Sequence, residues 1–240
     1  MRIITNHEDG EVEMHVVIVD STGVDLNEYM VTGSDDHHIK HCWIPAVEGQ
    51  TFEIRWFGRG PNLYSKLDIL ATPCLDGFDV NCGVLLAHER AQSSWGWLDS
   101  HQVSADMARP FKFGSLELTE DDEPPLDALT EDPYTIRVQL EWGWSRPQQL
   151  GQESDFHTFE CPEITTSLSK QEVLLAGNYT SVTLGEPISS DILETHNFRH
   201  ERNIPSAEFV FQYGPADWLQ ANGINLNMPS NSEVNEGTID

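Results

Sequence analysis

The chain has 240 residues, of which 38% are hydrophobic and 22% are charged, a composition that predicts a folded protein with a buried core. The chain contains forty acidic and thirteen basic residues, which gives a formal net charge of −27 at pH 7. So acidic a chain repels nucleic-acid phosphates and anionic lipids, and no lysine or arginine cluster offers a local exception. We therefore expect neither direct nucleic-acid binding nor membrane binding.

The N-terminal sequence and the cysteines predict an intracellular protein, in the cytoplasm or the nucleus. The opening residues MRIITNHED contain no apolar segment of the kind found in signal peptides, and no apolar run approaches transmembrane length. The cysteines are widely spaced and include no C-x-x-C pair, which fits reduced thiols better than a disulfide framework. They are Cys42, Cys74, Cys82 and Cys161.

Alternation of apolar and polar residues predicts β-strands in the first half of the chain. Residues 14–20 form a β-rich run that ends at a turn signal, and residues 51–57 alternate apolar with charged side chains like a half-buried strand. Asp76-Gly77 lies between two extended runs. It predicts a tight hairpin, because a type I′ turn needs positive φ at both central residues.

The clearest predicted strand spans residues 134–142 and has one polar face and one apolar face. Its polar face carries Arg137, Gln139 and Glu141. The apolar pattern continues past residue 142, so we expect both tryptophans of the W-G-W sequence at its end to pack in the core. The apolar face carries Ile136, Val138, Leu140, Trp142 and Trp144.

Helix signals are sparse, and they complete a mainly β architecture. Capping residues and glycine stops predict short helices near residues 168–176 and 215–222. Residues 117–132 read as a solvated acidic loop, and residues 225–240 as a flexible polar tail. We expect a single antiparallel β-sandwich or jelly-roll-like domain over residues 1–224.

The order of several motifs is similar to that of a known family. The motifs include residues 42–56 (CWIP…GQTFEIRW), residues 109–122 (RPFKFGSLELTEDD) and residues 209–224 (FVFQYGPADWLQANGI). Over roughly residues 10–224, the chain resembles a fungal domain family of unknown function that is common in mushroom-forming fungi. The resemblance implies a single, mainly β, intracellular domain, and it supplies no catalytic residues.

Histidines offer the candidate metal ligands. In residues 34–43 (SDDHHIKHCW), His37 and His41 would form an i, i+4 pair on a helix. On a strand they lie about 13 Å apart, too far to share an ion, and the following residues favour a strand. His196 and His200 have the same spacing, but the resemblance implies an inter-strand loop there. No cofactor is expected apart from a divalent metal at such histidines.

Trp95 and Trp97 are the candidate ligand-binding residues. They flank Gly96 and follow the polar stretch 91–94, so their rings could be exposed and could stack on sugars or peptides. The alternative is that both rings fold back as a lid over the core. Packing is the interpretation that the sequence favours.

The function expected from these features is that of a non-catalytic binding or interaction module. The chain has no G-x-S-x-G elbow and no phosphate-binding loop. One alternative is a metal-dependent, histidine-based β-sandwich enzyme, and another is an acidic, chaperone-like binder of basic proteins. Partners could be proteins or glycans, and exposed sheet edges could pair two copies into a homodimer.

Overall fold

A computed structural model describes residues 1–7, 10–104, 106–115, 134–147, 178–190 and 196–230 of the protein. The fold is mainly β, as the sequence predicts, and the described residues form sixteen strands. In chain order these are β1 (Arg2–His7), β2 (Gly10–Asp20), β3 (Tyr29–Ser34), β4 (Ile39–Pro45), β5 (Phe52–Arg59), β6 (Asp68–Leu75), β7 (Phe78–Asp79), β8 (Gly83–Leu85), β9 (Gly96–Leu98), β10 (Ser100–Gln102), β11 (Met107–Ser115), β12 (Thr135–Pro147), β13 (Thr180–Leu184), β14 (Ile188–Ser189), β15 (His196–His200) and β16 (Ala207–Gly214).

Two larger sheets build the sandwich-like fold. The first sheet has the strand order β1-β2-β5-β9 and is antiparallel throughout. The second sheet has the order β3-β4-β16-β12-β6-β7, with β15 paired to β12 and β8 paired to β6. All its pairs are antiparallel except β4 and β16, which run parallel from the Ile39–Glu208 pair to the Pro45–Gly214 pair.

A third, smaller sheet joins β10, β11 and β13, with β14 also paired to β11. Its side chains extend the core: the rings of Phe52 and Phe113 stack with centroids 4.6 Å apart, and Phe113 lies 5.3 Å from Tyr213. The inward-facing side chains of all three sheets therefore form one continuous hydrophobic cluster. Each fully buried phenylalanine in it stabilises the fold by about 1.5–3 kcal/mol relative to an exposed one.

The hairpin between β6 and β7 confirms the predicted turn, because Asp76 and Gly77 have φ angles of +49° and +84°. The Asp76 carboxylate is fully buried. It accepts hydrogen bonds from the backbone N–H of Thr135 (2.9 Å) and of Val182 (2.8 Å), and from the hydroxyl of Tyr213 (2.5 Å). Burial raises the pKa of Asp76 to about 6, although these donors act in the opposite direction.

The predicted buried face of β12 is confirmed for Ile136, Val138, Leu140 and Trp142. Trp144 is 36% exposed, and its indole N–H lies 3.3 Å from a carboxylate oxygen of Glu201. The expectation that Trp144 packs in the core is therefore wrong. The reason is that β12 extends beyond the core. After Gly143 it pairs with β15 alone.

The predicted helix near residues 215–222 is confirmed as α2 (Ala216–Ala221), which Pro215 precedes. Its Leu219 packs with Tyr29, and its Trp218 ring lies 5.7 Å from that of Trp43. The predicted helix at 168–176, the acidic loop at 117–132 and residues 231–240 lie outside the described residues. Among the described residues, no helix is long and apolar enough to cross a membrane.

A four-residue helix, α1 (Ala87–Arg90), is absent from the sequence prediction and carries a buried arginine. The Arg90 guanidinium donates hydrogen bonds to the carbonyl oxygens of Gly58 (3.1 Å), Tyr64 (2.8 Å) and Leu67 (2.6 Å). It also lies 4.9 Å from the centre of the Trp142 ring. Arg90 thus ties α1 to β5 and to the segment that leads into β6.

Candidate functional site

The outer face of the first sheet carries side chains in rows that run across its strands. In one row, antiparallel register places Val17 of β2 beside Arg55 of β5, and Arg55 opposite Trp97 of β9. The neighbours of Arg55 along β5, Ile54 and Trp56, are buried in the core. Because successive side chains of a strand point to opposite faces, the row of Trp97 points away from the core.

The two candidate tryptophans lie together on this outer face. Trp97 is 61% exposed and Trp95 is 38% exposed. The Trp95 ring packs on two neighbouring rings. Its centroid lies 5.1 Å from that of the His15 ring, in an edge-on arrangement, and 5.4 Å from that of the Phe57 ring. The interpretation favoured from the sequence, that both rings fold back as a lid over the core, is therefore wrong for Trp97. Trp95 is only partly packed.

Gly96 explains why both tryptophans face outward. A β-carbon at this position would lie 2.3 Å from Cε2 of the buried Trp56, a distance that no side chain can adopt. Residue 96 therefore faces the core without a side chain. Its two neighbours in sequence, Trp95 and Trp97, are left on the solvent side of the sheet.

The tryptophans border a groove of about 470 Å³ on the outer face of the first sheet, which we call the tryptophan groove. Its walls combine aromatic and aliphatic surface with four charged groups. The lining residues are Val17, Asp25, Glu53, Arg55, Trp95, Trp97 and Asp99.

Negative charge dominates the polar part of the groove. Arg55 forms an ion pair with Glu53, in which Nε and one terminal nitrogen lie 2.8 Å and 2.7 Å from the same carboxylate oxygen. Asp99 accepts a hydrogen bond of 2.7 Å from the hydroxyl of Ser100, and Asp25 is exposed at the groove wall. The groove therefore presents three carboxylates to one guanidinium.

His15 supports the groove as a neutral imidazole. Burial, together with the positive charges of the N-terminal ammonium and Arg2, lowers the pKa of His15 to about 3. At neutral pH the ring beside Trp95 therefore carries no charge. The aromatic floor of the groove adds no positive charge that would repel a cationic ligand.

The candidate metal ligands His37 and His41 lie in the hairpin between β3 and β4. Residues 35–38 form the turn, and His41 lies within β4, where it pairs with Thr32. Asp35, which precedes His37 in this turn, accepts a hydrogen bond of 3.2 Å from the Ile4 backbone N–H. It also lies 3.2 Å from the Lys40 ammonium. The segment 34–43 is thus a turn that leads into a strand. The Asp35 carboxylate in this turn already has two partners, Ile4 and Lys40.

The second candidate pair, His196 and His200, lies on strand β15, so the inter-strand loop expected for this segment is wrong. At a strand rise of about 3.4 Å per residue, the two side chains share a face but stand about 13 Å apart. Nδ1 of His200 lies 3.2 Å from a carboxylate oxygen of Glu141. Within the described ranges, no three histidine, cysteine, aspartate or glutamate residues are placed to hold one metal ion.

The sequence identified two of the seven residues that line the tryptophan groove. Glu53 and Arg55 also carried a signal, because they occupy the outward positions of the half-buried strand predicted at 51–57. Asp25 and Asp99 carried none, since each lies outside a strand and reaches the groove only through the fold.

Comparison with known proteins identifies a family. A family model described as Domain of unknown function (DUF7918) matches residues 15–225. No curated protein and no solved structure matches the chain.

Proposed function

The chain belongs to the DUF7918 family, a domain of unknown function, and we propose that it acts as a non-catalytic binding module with the tryptophan groove as its ligand site. The observation that carries the proposal is Trp97, a tryptophan 61% exposed at the wall of that groove. Trp97 lines the groove together with Trp95 and Val17, so its exposed indole is part of a shared apolar surface, and such surfaces mark binding sites more often than single exposed residues do.

The groove has the size and the chemistry of a small-ligand or side-chain site. A volume of about 470 Å³ lies within the usual range for ligand pockets. Rigid tryptophans supply contact area at low entropic cost, and they are enriched among the residues that dominate binding energies. The Glu53–Arg55 ion pair and the two aspartates would orient a ligand by hydrogen bonds.

The lining does not contain the parts of a serine- or cysteine-based catalytic site. Its seven residues include no serine, cysteine or histidine. The described residues also bring together no metal-binding group, so no observed geometry favours the metal-dependent alternative.

The cellular setting is part of the proposal. The described cysteines Cys42, Cys74 and Cys82 are free thiols, which suits a reducing, intracellular compartment. The order of motifs shared with a fungal domain family supports a fungal protein.

An array experiment tests the binding function. We expect the purified protein to bind members of a peptide array or a glycan array, and the double variant Trp95→Ala/Trp97→Ala to lose at least about tenfold in affinity. The matched control is Trp144→Ala, which removes a tryptophan that is 36% exposed and lies on the second sheet. Unchanged binding by the double variant, or no binding to either array, contradicts the proposal.

A further inference from the structure

Carboxylates outnumber basic groups in the tryptophan groove. Its lining contains Asp25, Glu53 and Asp99 but only one guanidinium, that of Arg55, which Glu53 already neutralises at 2.7 Å. In the part of the chain that the structure describes, no basic side chain forms an ion pair with Asp25 or Asp99. Three carboxylates and one guanidinium leave two negative charges uncompensated, on a protein whose formal net charge is −27.

The indoles reinforce this preference for a cation. The face of a tryptophan ring carries partial negative charge and attracts cations more strongly than the other aromatic side chains do. Trp95 packs on the rings of His15 and Phe57 at 5.1 Å and 5.4 Å, contacts that favour one orientation of its indole in the absence of a ligand. A cationic ligand would therefore bind without first ordering this side of the groove.

We infer that the tryptophan groove binds the arginine side chain of a basic protein segment, an inference that rests on the binding function proposed above. A guanidinium is planar and weakly hydrated, so it stacks on indole faces and also pairs with carboxylates through two N–H groups. Trp95 and Trp97 supply the stacking surfaces. Asp25 and Asp99 supply the carboxylates.

The same chain already shows such stacking in its interior. The guanidinium of Arg90 lies 4.9 Å from the centre of the Trp142 ring while it donates hydrogen bonds to three carbonyl oxygens. In the groove, the carboxylates would accept the guanidinium hydrogen bonds that the carbonyl oxygens accept around Arg90. A neutral sugar would also stack on the indoles and donate hydroxyl hydrogen bonds to the carboxylates, but it would leave their two negative charges uncompensated.

Three probes separate the possible ligand classes. The first is a short peptide with several arginines, the second is the same peptide with citrulline in place of each arginine, and the third is a neutral oligosaccharide of N-acetylglucosamine. Citrulline keeps the shape of arginine and removes its charge. By calorimetric titration, we expect the arginine peptide to bind and the citrulline peptide to bind at least about tenfold more weakly.

A charge-matched pair of variants separates the groove from the general acidity of the protein. Asp25→Asn/Asp99→Asn removes both uncompensated charges of the groove. Glu48→Gln/Glu186→Gln removes the same amount of charge from two exposed positions outside it. We expect the groove pair of substitutions to lower the affinity for the arginine peptide by about tenfold or more. The control pair should lower it by less than about threefold, because salt screens charges that lie far from the bound peptide.

The outcomes distinguish this inference from the binding function beneath it. Equal affinity for the arginine and citrulline peptides overturns the arginine assignment. So does an equal loss of affinity for the arginine peptide in the groove double variant and in the control double variant. Preference for the oligosaccharide, lost in Trp97→Ala but kept in Asp25→Asn/Asp99→Asn, overturns the arginine assignment and leaves the binding function standing. If Trp97→Ala weakens none of the probes, both proposals are wrong.

Discussion

Gly96 lies directly against the indole of Trp56, so closely that a β-carbon at residue 96 would stand 2.3 Å from Cε2 of that ring. This contact in the core decides which way β9 faces. With Gly96 turned inward, Trp95 and Trp97 face solvent and border the groove. The proposed ligand site therefore depends on a residue that a ligand would never touch.

The first prediction is that Gly96→Ala damages both stability and binding. The added methyl group must displace Trp56 or shift β9, and overpacking of this kind typically costs about 1–3 kcal/mol. Urea denaturation measures the loss of unfolding free energy, and titration of the arginine peptide measures the loss of affinity.

Gly185→Ala is the control for that change. A β-carbon at Gly185 would meet Pro110 at 3.5 Å, an ordinary van der Waals contact, so we expect a change in unfolding free energy within about 0.5 kcal/mol. Equal stability of the two variants, with peptide binding intact in Gly96→Ala, would contradict the role assigned to the Gly96–Trp56 contact.

The second prediction contrasts an exposed tryptophan with a buried one. Trp97→Ala should change the unfolding free energy by no more than about 0.5 kcal/mol, because Trp97 is 61% exposed. Trp142→Ala should lower it by about 3–5 kcal/mol, because the ring is fully buried beneath Arg90. Urea denaturation of both variants measures the difference, and a large loss in Trp97→Ala would show that this ring supports the fold instead of a ligand.

The third prediction concerns the pH dependence that Asp76 contributes to stability. The pKa of its buried carboxyl is raised from 3.8 to about 6, so between these values the folded state holds a proton that the unfolded state has lost. The stabilisation is therefore fully present below about pH 3.8 and is lost as pH rises through about 6. Its size is on the order of 3 kcal/mol.

The matched variant Asp76→Asn isolates this contribution from those of the other carboxyl groups. Asparagine tolerates the positive φ of +49° at this position but cannot titrate. Unfolding free energies measured between about pH 4 and about pH 7 should fall more steeply in the unmodified protein than in the variant. Parallel curves for the two proteins would show that Asp76 does not titrate in this range.

The fourth prediction is that Arg90→Lys destabilises the fold although it keeps the charge. A lysine ammonium cannot reach the carbonyl oxygens of Gly58, Tyr64 and Leu67 with the planar geometry that Arg90 uses. We expect a loss of about 2–3 kcal/mol in thermal or urea unfolding.

Arg59→Lys provides the comparison. The Arg59 side chain is 66% exposed and pairs with Glu13, so its replacement by lysine should cost less than about 1 kcal/mol. If Arg90→Lys costs no more than Arg59→Lys, the three carbonyl contacts do not support the fold as described.

Local chemistry could be predicted from the sequence, and distant contacts could not. The turn at Asp76-Gly77 depends on two adjacent residues that accept positive φ, so its geometry was evident. The hydrogen bond from Tyr213 to Asp76 joins residues 137 positions apart, and no local pattern encodes it. The parallel pairing of β4 with β16 escaped prediction for the same reason.

The two W-G-W sequences show why the candidate site was only partly predictable. Alternation tells which face of a strand a residue occupies, but it does not tell where the core ends. Trp142 is buried, yet Trp144, two residues on, lies beyond the end of the core. In the Trp95-Gly96-Trp97 sequence, Gly96 faces the core and the tryptophans face solvent. Only the contact between Gly96 and Trp56, which the fold creates, reveals this orientation.

The most direct measurement of the central claim is the response of the indole N–H signals in an NMR titration with the arginine peptide. The protein has seven tryptophans, and those outside the tryptophan groove report on other parts of the fold. Ligand binding in the tryptophan groove predicts that the signals of Trp95 and Trp97 shift, while those of the buried Trp56 and Trp142 and of the exposed Trp144 stay in place. Shifts centred on Trp144, or no shift at Trp95 and Trp97 while the peptide binds, would contradict it.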